Sequence, residues 1–263
     1  MRMRLVIAAL MCVGAVVAAP RTPQKKGSPP KTVPPPSVAP ERPAESWPVW
    51  GGPRRNFISP STGLANTWPR EGPPRLWSRA LGDGYSAIAE EKGVLFTAYR
   101  RGSKDVVVAL DAANGKTVWE YEYDSPFGNA YAEAVGPGPY AMPQVIGDRV
   151  FTASGTGKIH SLDKRTGRPA WSHDLYGEFR ATRLPFGYSC HGLPYKGTLI
   201  YLAGGSAPYF GLGRGSAVVA FRQSDGAVVW RNQAFTNAHS SPLLIDVDGQ
   251  PRLPATLPRA RGR

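Results

Sequence analysis

One phrase of eleven residues, written three times, constrains this chain more than any other feature. Residues 109–119 read Ala-Leu-Asp-Ala-Ala-Asn-Gly-Lys-Thr-Val-Trp, residues 161–171 read Ser-Leu-Asp-Lys-Arg-Thr-Gly-Arg-Pro-Ala-Trp, and residues 220–230 read Ala-Phe-Arg-Gln-Ser-Asp-Gly-Ala-Val-Val-Trp. In each copy glycine stands four residues before tryptophan and a small residue stands ten before it. Trp77, in Leu76-Trp77-Ser78, resembles the tail of a further copy. Successive tryptophans lie 42, 52 and 59 residues apart, a period at which chains build stacked units that share faces.

Between the tryptophans run short β-branched and aromatic segments broken by turn formers. The first round predicts strands over 85–89, 93–99, 106–111 and 116–121; the second over 141–146, 149–153, 158–162 and 168–172. The third predicts strands over 189–195, 198–203, 216–221 and 227–231. Residues 75–79 read as an orphan N-terminal strand, and a fourth round opens at 240–246 and stops. Four short antiparallel strands per repeat are the signature of a β-propeller. The expected fold is therefore all-β: a partial propeller of about three four-stranded blades, the orphan strand, and the start of a fourth blade. The longer repeats grow in two loops, 124–139 and 204–215, where a blade tolerates insertion best.

The ends read differently. Residues 1–19 place Arg2 and Arg4 before an apolar run over 5–17 and then Ala18-Ala19, the layout of a secretory signal peptide. A secreted or periplasmic location follows, with no transmembrane span in the mature chain. Residues 20–46 are a Pro-rich, disordered linker, residues 47–250 hold the blades, and 251–263 form an irregular basic tail. The Arg/Pro/Ala composition of that tail makes a truncated or frameshifted product the expectation. Net charge is +13, but residues 1–46 carry +5 and 251–263 carry +4, leaving +4 over the blades. The basic excess belongs to the ends, so no nucleic-acid partner is expected. Of the two cysteines, Cys12 lies in the leader and Cys190 reads as a small buried apolar residue.

Within the repeat each recurring position has a structural task. Asp111 and Asp163 can accept N–H groups of the turn that follows them. Gly115, Gly167 and Gly226 supply the positive φ of a tight hairpin. Trp77, Trp119, Trp171 and Trp230 offer a large flat face to an adjacent blade. Arg222 replaces the aspartate in the third copy, so that turn is expected to be less tightly held.

The motif Ala-Leu-Asp-x-x-Asn/Thr-Gly-x-x-x-Trp resembles the tryptophan-docking repeat of the PQQ-like quinoprotein β-propeller superfamily. Trp47-Pro48-x-Trp50-Gly51-Gly52-Pro53, with Leu76-Trp77 and Gly84-Tyr85-Ser86, is similar to secreted bacterial PQQ-binding-like propeller proteins. The resemblance covers about residues 47–250 and implies an eight-bladed ring, shared by quinoprotein dehydrogenases and the BamB-type scaffold of outer-membrane protein assembly. PQQ and Ca²⁺ are implied by that resemblance only. The family's adjacent cysteine pair is missing and no acidic cluster of calcium-ligand spacing is visible, so no catalytic, cofactor or metal residue is assigned.

Several phrases mimic other sites. Asp246 and Asp248 make no complete calcium loop and read as a turn; residues 154–158 read as a hairpin; Gly211-x-Gly213-x-Gly215 precedes a strand, unlike a dinucleotide fingerprint. His191 and His239 fall at the starts of first strands, and with Tyr85 and Tyr188 they are the candidates for ligand binding at a channel mouth. The expected function is an exported, non-catalytic binding or scaffold module with a protein or small-molecule partner at the propeller face. The alternative is a fragment of a PQQ-dependent oxidoreductase whose active-site blades are missing.

Overall fold

A computed structural model describes residues 45–63, 65–128, 136–180, 183–184, 186–203, 218–232 and 240–253. Residues 1–44, where the sequence predicts a signal peptide and most of a linker, His239, the glycine run at 211–215 and the loop over 204–215 lie outside the described residues. Three four-stranded antiparallel sheets follow one another along the chain. The first holds β1 (Ala89–Glu91), β2 (Val94–Arg101), β3 (Lys104–Asp111) and β4 (Thr117–Asp124) in sequential order. The second holds β5 (Gln144–Ile146), β6 (Arg149–Ala153), β7 (Lys158–Asp163) and β8 (Pro169–Asp174). The third holds β9 (Leu193–Tyr195), β10 (Thr198–Leu202), β11 (Val218–Arg222) and β12 (Val228–Asn232). Each is one blade of a partial β-propeller, and together they form the nearly all-β architecture that the repeats predict.

A further hairpin pairs β13 (Ile245–Val247) with β14 (Gln250–Arg252). The strand pattern of the sequence stops before this second strand. Asp248 at φ 55° and Gly249 at φ 74° make the turn, and Asp246 accepts the Gly249 N–H at 2.8 Å, so Pro251 is accommodated on a two-stranded ribbon. Residues 75–79, expected as a strand, join no ladder. A short helix, α1 (Leu175–Phe179), has no counterpart in the sequence pattern. It follows β8 directly, with Asp174 capping the Tyr176 and Gly177 N–H groups.

The blades are held by apolar faces pressed together, as sheets must bury one face against something. Between the first two blades lie Phe96, Ala98, Val107, Ala109 and Trp119 against Met142, Val145, Val150 and Leu162. Between the second and third lie Phe151, Ile159 and Trp171 against Leu199, Tyr201, Val219 and Phe221. The apolar face of α1 (Leu175, Tyr176, Phe179) fills the rest of this second seam.

The repeated phrase works across these seams. A Cβ on Gly115 would lie 2.7 Å from the Trp77 ring, one on Gly167 2.5 Å from Trp119, and one on Gly226 2.8 Å from Trp171. Each tryptophan thus covers the glycine turn of the next copy, where nothing larger than hydrogen fits. Each Nε1–H also donates to the carbonyl three residues before that glycine: Ala112 at 2.8 Å, Lys164 at 2.9 Å and Gln223 at 3.0 Å. Trp77 takes part without a strand around it.

A regularity invisible in the sequence precedes every strand tryptophan. The register of β3 on β4 shifts between Ala109 and Leu110, that of β7 on β8 between Ser161 and Leu162, and that of β11 on β12 between Ala220 and Phe221. Val118, Ala170 and Val229 are the residues skipped by the pairing. One extra residue re-aims the strand so that the tryptophan and the hairpin face the same neighbour.

The third turn keeps its closing backbone bond but lacks the aspartate's hold on the turn: Asp111 accepts the Ala113 N–H at 2.8 Å and Asp163 those of Arg165 and Thr166 at 3.1 and 2.9 Å, which an arginine at 222 cannot do. Gly226 N–H donates to the Arg222 carbonyl at 2.9 Å, matching Gly115 to Asp111 at 2.8 Å and Gly167 to Asp163 at 2.9 Å. Copies one and two link the turn by Asn114 and Thr166 donating to the aspartate, at 3.0 and 2.8 Å. In the third, Arg222 donates to Asp225 at 2.7 Å, so donor and acceptor have exchanged places. The link survives because its polarity is free to reverse.

Candidate functional site

The inner strands are shorter than their sequence suggests, and the reason builds the site. The residues ahead of β1, β5 and β9 give their polar groups to neighbouring segments instead of to a ladder. Ser86 Oγ donates to the Ala141 carbonyl at 3.0 Å, Met142 N–H donates to His191 Nε2 at 2.9 Å, and His191 N–H donates to Ser241 Oγ at 2.9 Å. Four successive repeats are stitched together at their inner ends by this sequence of bonds.

Residues 47–57 cross the same region. The Trp47 carbonyl accepts Glu90 N–H from the first blade at 3.0 Å, and the Pro48 carbonyl accepts Val145 N–H from the second at 2.7 Å. Trp50 then stacks on His191 of the third, with ring centroids 4.7 Å apart and planes 7° apart. Phe57 meets Trp50 edge-on at 5.5 Å. Arg55 and Phe57 hold left-handed backbone, at φ 53° and 58°, which places both side chains along this path.

A cavity of about 600 Å³ results. One wall is Trp50, Arg54, Arg55 and Phe57; the second is Ser189, His191, Leu193 and Pro194; the third runs from Ser241 to Leu244. Its chemistry is apolar and cationic. Arg54 faces Glu45 at 3.5 Å, while burial alone lowers Arg55 from its ordinary value. His191 is held neutral, with its pKa pulled down to about 4 by burial. Its Nε2 accepts from Met142, so the proton sits on Nδ1 and points to Ser241 Oγ at 3.0 Å. Both ring nitrogens are engaged, and His191 is a clamp in the wall.

Of the three sequence candidates among the described residues, His191 lines this cavity and Tyr85 and Tyr188 do not. Tyr188 is fully buried in the seam between blades two and three, its hydroxyl donating to the Leu202 carbonyl at 3.0 Å, and it cannot stand at a channel mouth. Tyr85 is exposed but stacks on Tyr140, with centroids 5.9 Å apart. Cys190, next to His191, is buried and its thiol is pushed up to about 12, in keeping with an inert core residue. Sequence reasoning missed Arg54, Arg55 and Ser241. The available signal was the Arg-Arg pair directly after Trp-Gly-Gly-Pro, since a turn that anchors one tryptophan also carries whatever follows it.

The calcium implied by the resemblance does not fit this cavity. Its lining offers two guanidinium groups and no carboxylate, whereas Ca²⁺ takes six to eight oxygen ligands with carboxylates among them. Among the described residues no group of three or more His, Cys, Asp or Glu side chains converges to hold a metal. Among them, too, no helix is long and apolar enough to cross a membrane.

Residues 70–184 match the family model described as outer membrane protein assembly factor BamB. The chain is 28% identical over 159 residues to quinohemoprotein alcohol dehydrogenase ADH-IIG of Pseudomonas putida, covering 59% of this chain and 19% of that protein. It is 29% identical over 174 residues to quinohemoprotein alcohol dehydrogenase ADH IIB of the same organism, covering 64% and 21%. The chain spans about a fifth of the length of these curated relatives. Superposed on the crystal structure of quinohemoprotein alcohol dehydrogenase from Comamonas testosteroni it has a TM-score of 0.49 at 18% identity, covering 73% of this chain and 27% of that one.

Proposed function

Because the chain carries a PQQ-like β-propeller repeat region homologous to quinohemoprotein alcohol dehydrogenases, we propose that it is a non-catalytic member of that superfamily, a module that binds a ligand at the inner end of its blades. The observation that carries this reading is the state of His191. A catalytic base needs a free nitrogen and a pKa near the working pH. His191 has neither, because Met142 and Ser241 take both nitrogens and burial holds it neutral. What remains is shape and contact: stacked aromatic walls, an aliphatic floor and two cations. The leader-like residues 1–19 support export, and the assembly-factor description of the matched family favours binding over turnover.

A neutral apolar dye tests the reading without involving charge. Nile red added to the full-length protein is expected to fluoresce on entering the cavity. Trp50→Ala, which removes a wall, and Leu243→Glu, which charges the floor, should each weaken that signal at least about five-fold. Equal dye binding in all three proteins would sink the cavity as a binding site.

The second reading, part of a quinoprotein oxidoreductase, is favoured by the alcohol dehydrogenase names of the curated relatives. It predicts that purified protein given PQQ and Ca²⁺ retains quinone absorbance through gel filtration. The binding-module reading predicts that it does not.

A further inference from the structure

Building on the reading of this cavity as a binding site, we propose that its ligand is an amphipathic monoanion, with a carboxylate held by Arg55 and Ser241 and an apolar body lying along Trp50 and Leu243. The charge count points to one negative group. Arg54 is already offset by Glu45 at 3.5 Å. The Arg55 guanidinium has no ion-pair or hydrogen-bond partner among the described residues, and no acidic neighbour contributes to its titration. A half-buried cation left without a counter-ion is unfavourable in the free protein, and a bound anion relieves it. One carboxylate does so; a tricarboxylate would leave two charges uncompensated in the same apolar space.

The hydrogen-bonding inventory supplies the second contact. Ser241 Oγ accepts both the His191 N–H at 2.9 Å and the Nδ1–H at 3.0 Å, so its own O–H is the group left to donate into the cavity. A planar guanidinium fork and a hydroxyl donor lining the same cavity suit a carboxylate. Much of the remaining wall is apolar, and Phe57 and Leu243 are both more than half exposed towards solvent in the free protein. A cavity of about 600 Å³ takes a ligand of small-molecule size. The carboxylate can belong to a free organic acid or to the C-terminus of a peptide ending in an apolar residue.

Calorimetric titration of the full-length protein tests this with two matched pairs: octanoate against octanamide, and acetyl-Ala-Ala-Leu with a free against an amidated C-terminus. In at least one pair the acid is expected to bind ten-fold tighter or more than its amide, and the pair that shows it identifies the carrier. Arg55→Gln should bring that ratio within about two-fold, chiefly by weakening the acid, with an unaltered circular dichroism spectrum showing that the variant folds. Raising salt from 0.05 to 0.5 M should weaken the acid and spare the amide in the unsubstituted protein. Equal affinities in both pairs, no binding in either, or a ratio indifferent to Arg55→Gln and to salt would overturn the proposal. Trp50-dependent binding of Nile red or octanamide without any preference for the acid sinks the anion alone. Loss of all Trp50-dependent binding sinks the binding site itself.

Discussion

Trp119 and Trp230 end the same eleven-residue phrase and meet opposite fates. Trp119 is 7% exposed, its ring laid on Gly167 and its Nε1–H given to Lys164. Trp230 is 40% exposed, Val228 and Val229 beside it are exposed as well, and no described glycine has it as a neighbour. Local structure does not explain the difference, since both strands carry the same bulge and both hairpins the same backbone bonds. The phrase is therefore half of an interface. It prepares a flat ring on one side and a bare glycine on the other, and stability comes only when two copies are adjacent.

Replacing the two tryptophans gives the largest expected separation. Trp119→Ala opens a cavity in a closed seam and should cost about 3–5 kcal/mol in urea unfolding, whereas Trp230→Ala should cost less than about 1 kcal/mol. Equal losses would show that Trp230 is covered in solution. The glycines sharpen the comparison from the other side. At Gly167, with φ 72°, a methyl group meets the Trp119 ring at 2.5 Å, and at Gly197, with φ 74°, it meets nothing within 4 Å. Gly167→Ala should lose about 2–3 kcal/mol and Gly197→Ala about 1 kcal/mol, the common part being the positive φ. Similar losses at both would mean that φ alone selects glycine.

The smallest net effect is a pH dependence of the first seam, in which two groups work against each other. His160, on β7, sits against Tyr123 of β4 with ring centroids 4.0 Å apart, and burial holds its pKa at about 3 against 6.5 in an open chain. The unfolded chain binds a proton below 6.5 that the native state refuses, so this stabilisation is lost as pH falls from 6.5 towards 3. At pH 5 the loss is about 2 kcal/mol. Asp105 in the same blade as Tyr123 works in the opposite sense. Burial raises it to about 6 from 3.8, so its destabilisation eases over pH 6 to 4 and offsets part of the histidine effect. His160→Gln should flatten the fall of stability between pH 6.5 and 5, and Asp105→Asn should steepen it. An unchanged slope in His160→Gln would remove His160 as the source.

Much of the blade was legible. Glycine, aspartate and tryptophan at fixed spacing carry turn geometry and ring burial in their own chemistry, and alternating apolar runs mark the strands to within a few residues. The inner strands come out too long from sequence because Tyr85, Ala141 and Ser189 look like strand residues. Whether an extended segment joins a ladder depends on which partner reaches its N–H groups, and here segments distant in sequence reach them first. The candidate site was legible at one residue. His191 stands out by its position, but its role as a clamp follows from Met142 and Ser241, 49 and 50 residues away. Arg55 is marked only by its place after Trp-Gly-Gly-Pro, and its burial is not legible, because a surface arginine and a half-buried one are spelled alike.

What the sequence determined by itself is the repeating unit: four short strands, a hairpin with positive φ, and a tryptophan in step with the next glycine. These are short-range matters, settled by sterics within about ten residues. What only the tertiary structure decided is coverage. It set which tryptophan found a glycine, which histidine lost its proton and which guanidinium was left without an anion, because burial and desolvation depend on what the rest of the chain brings alongside.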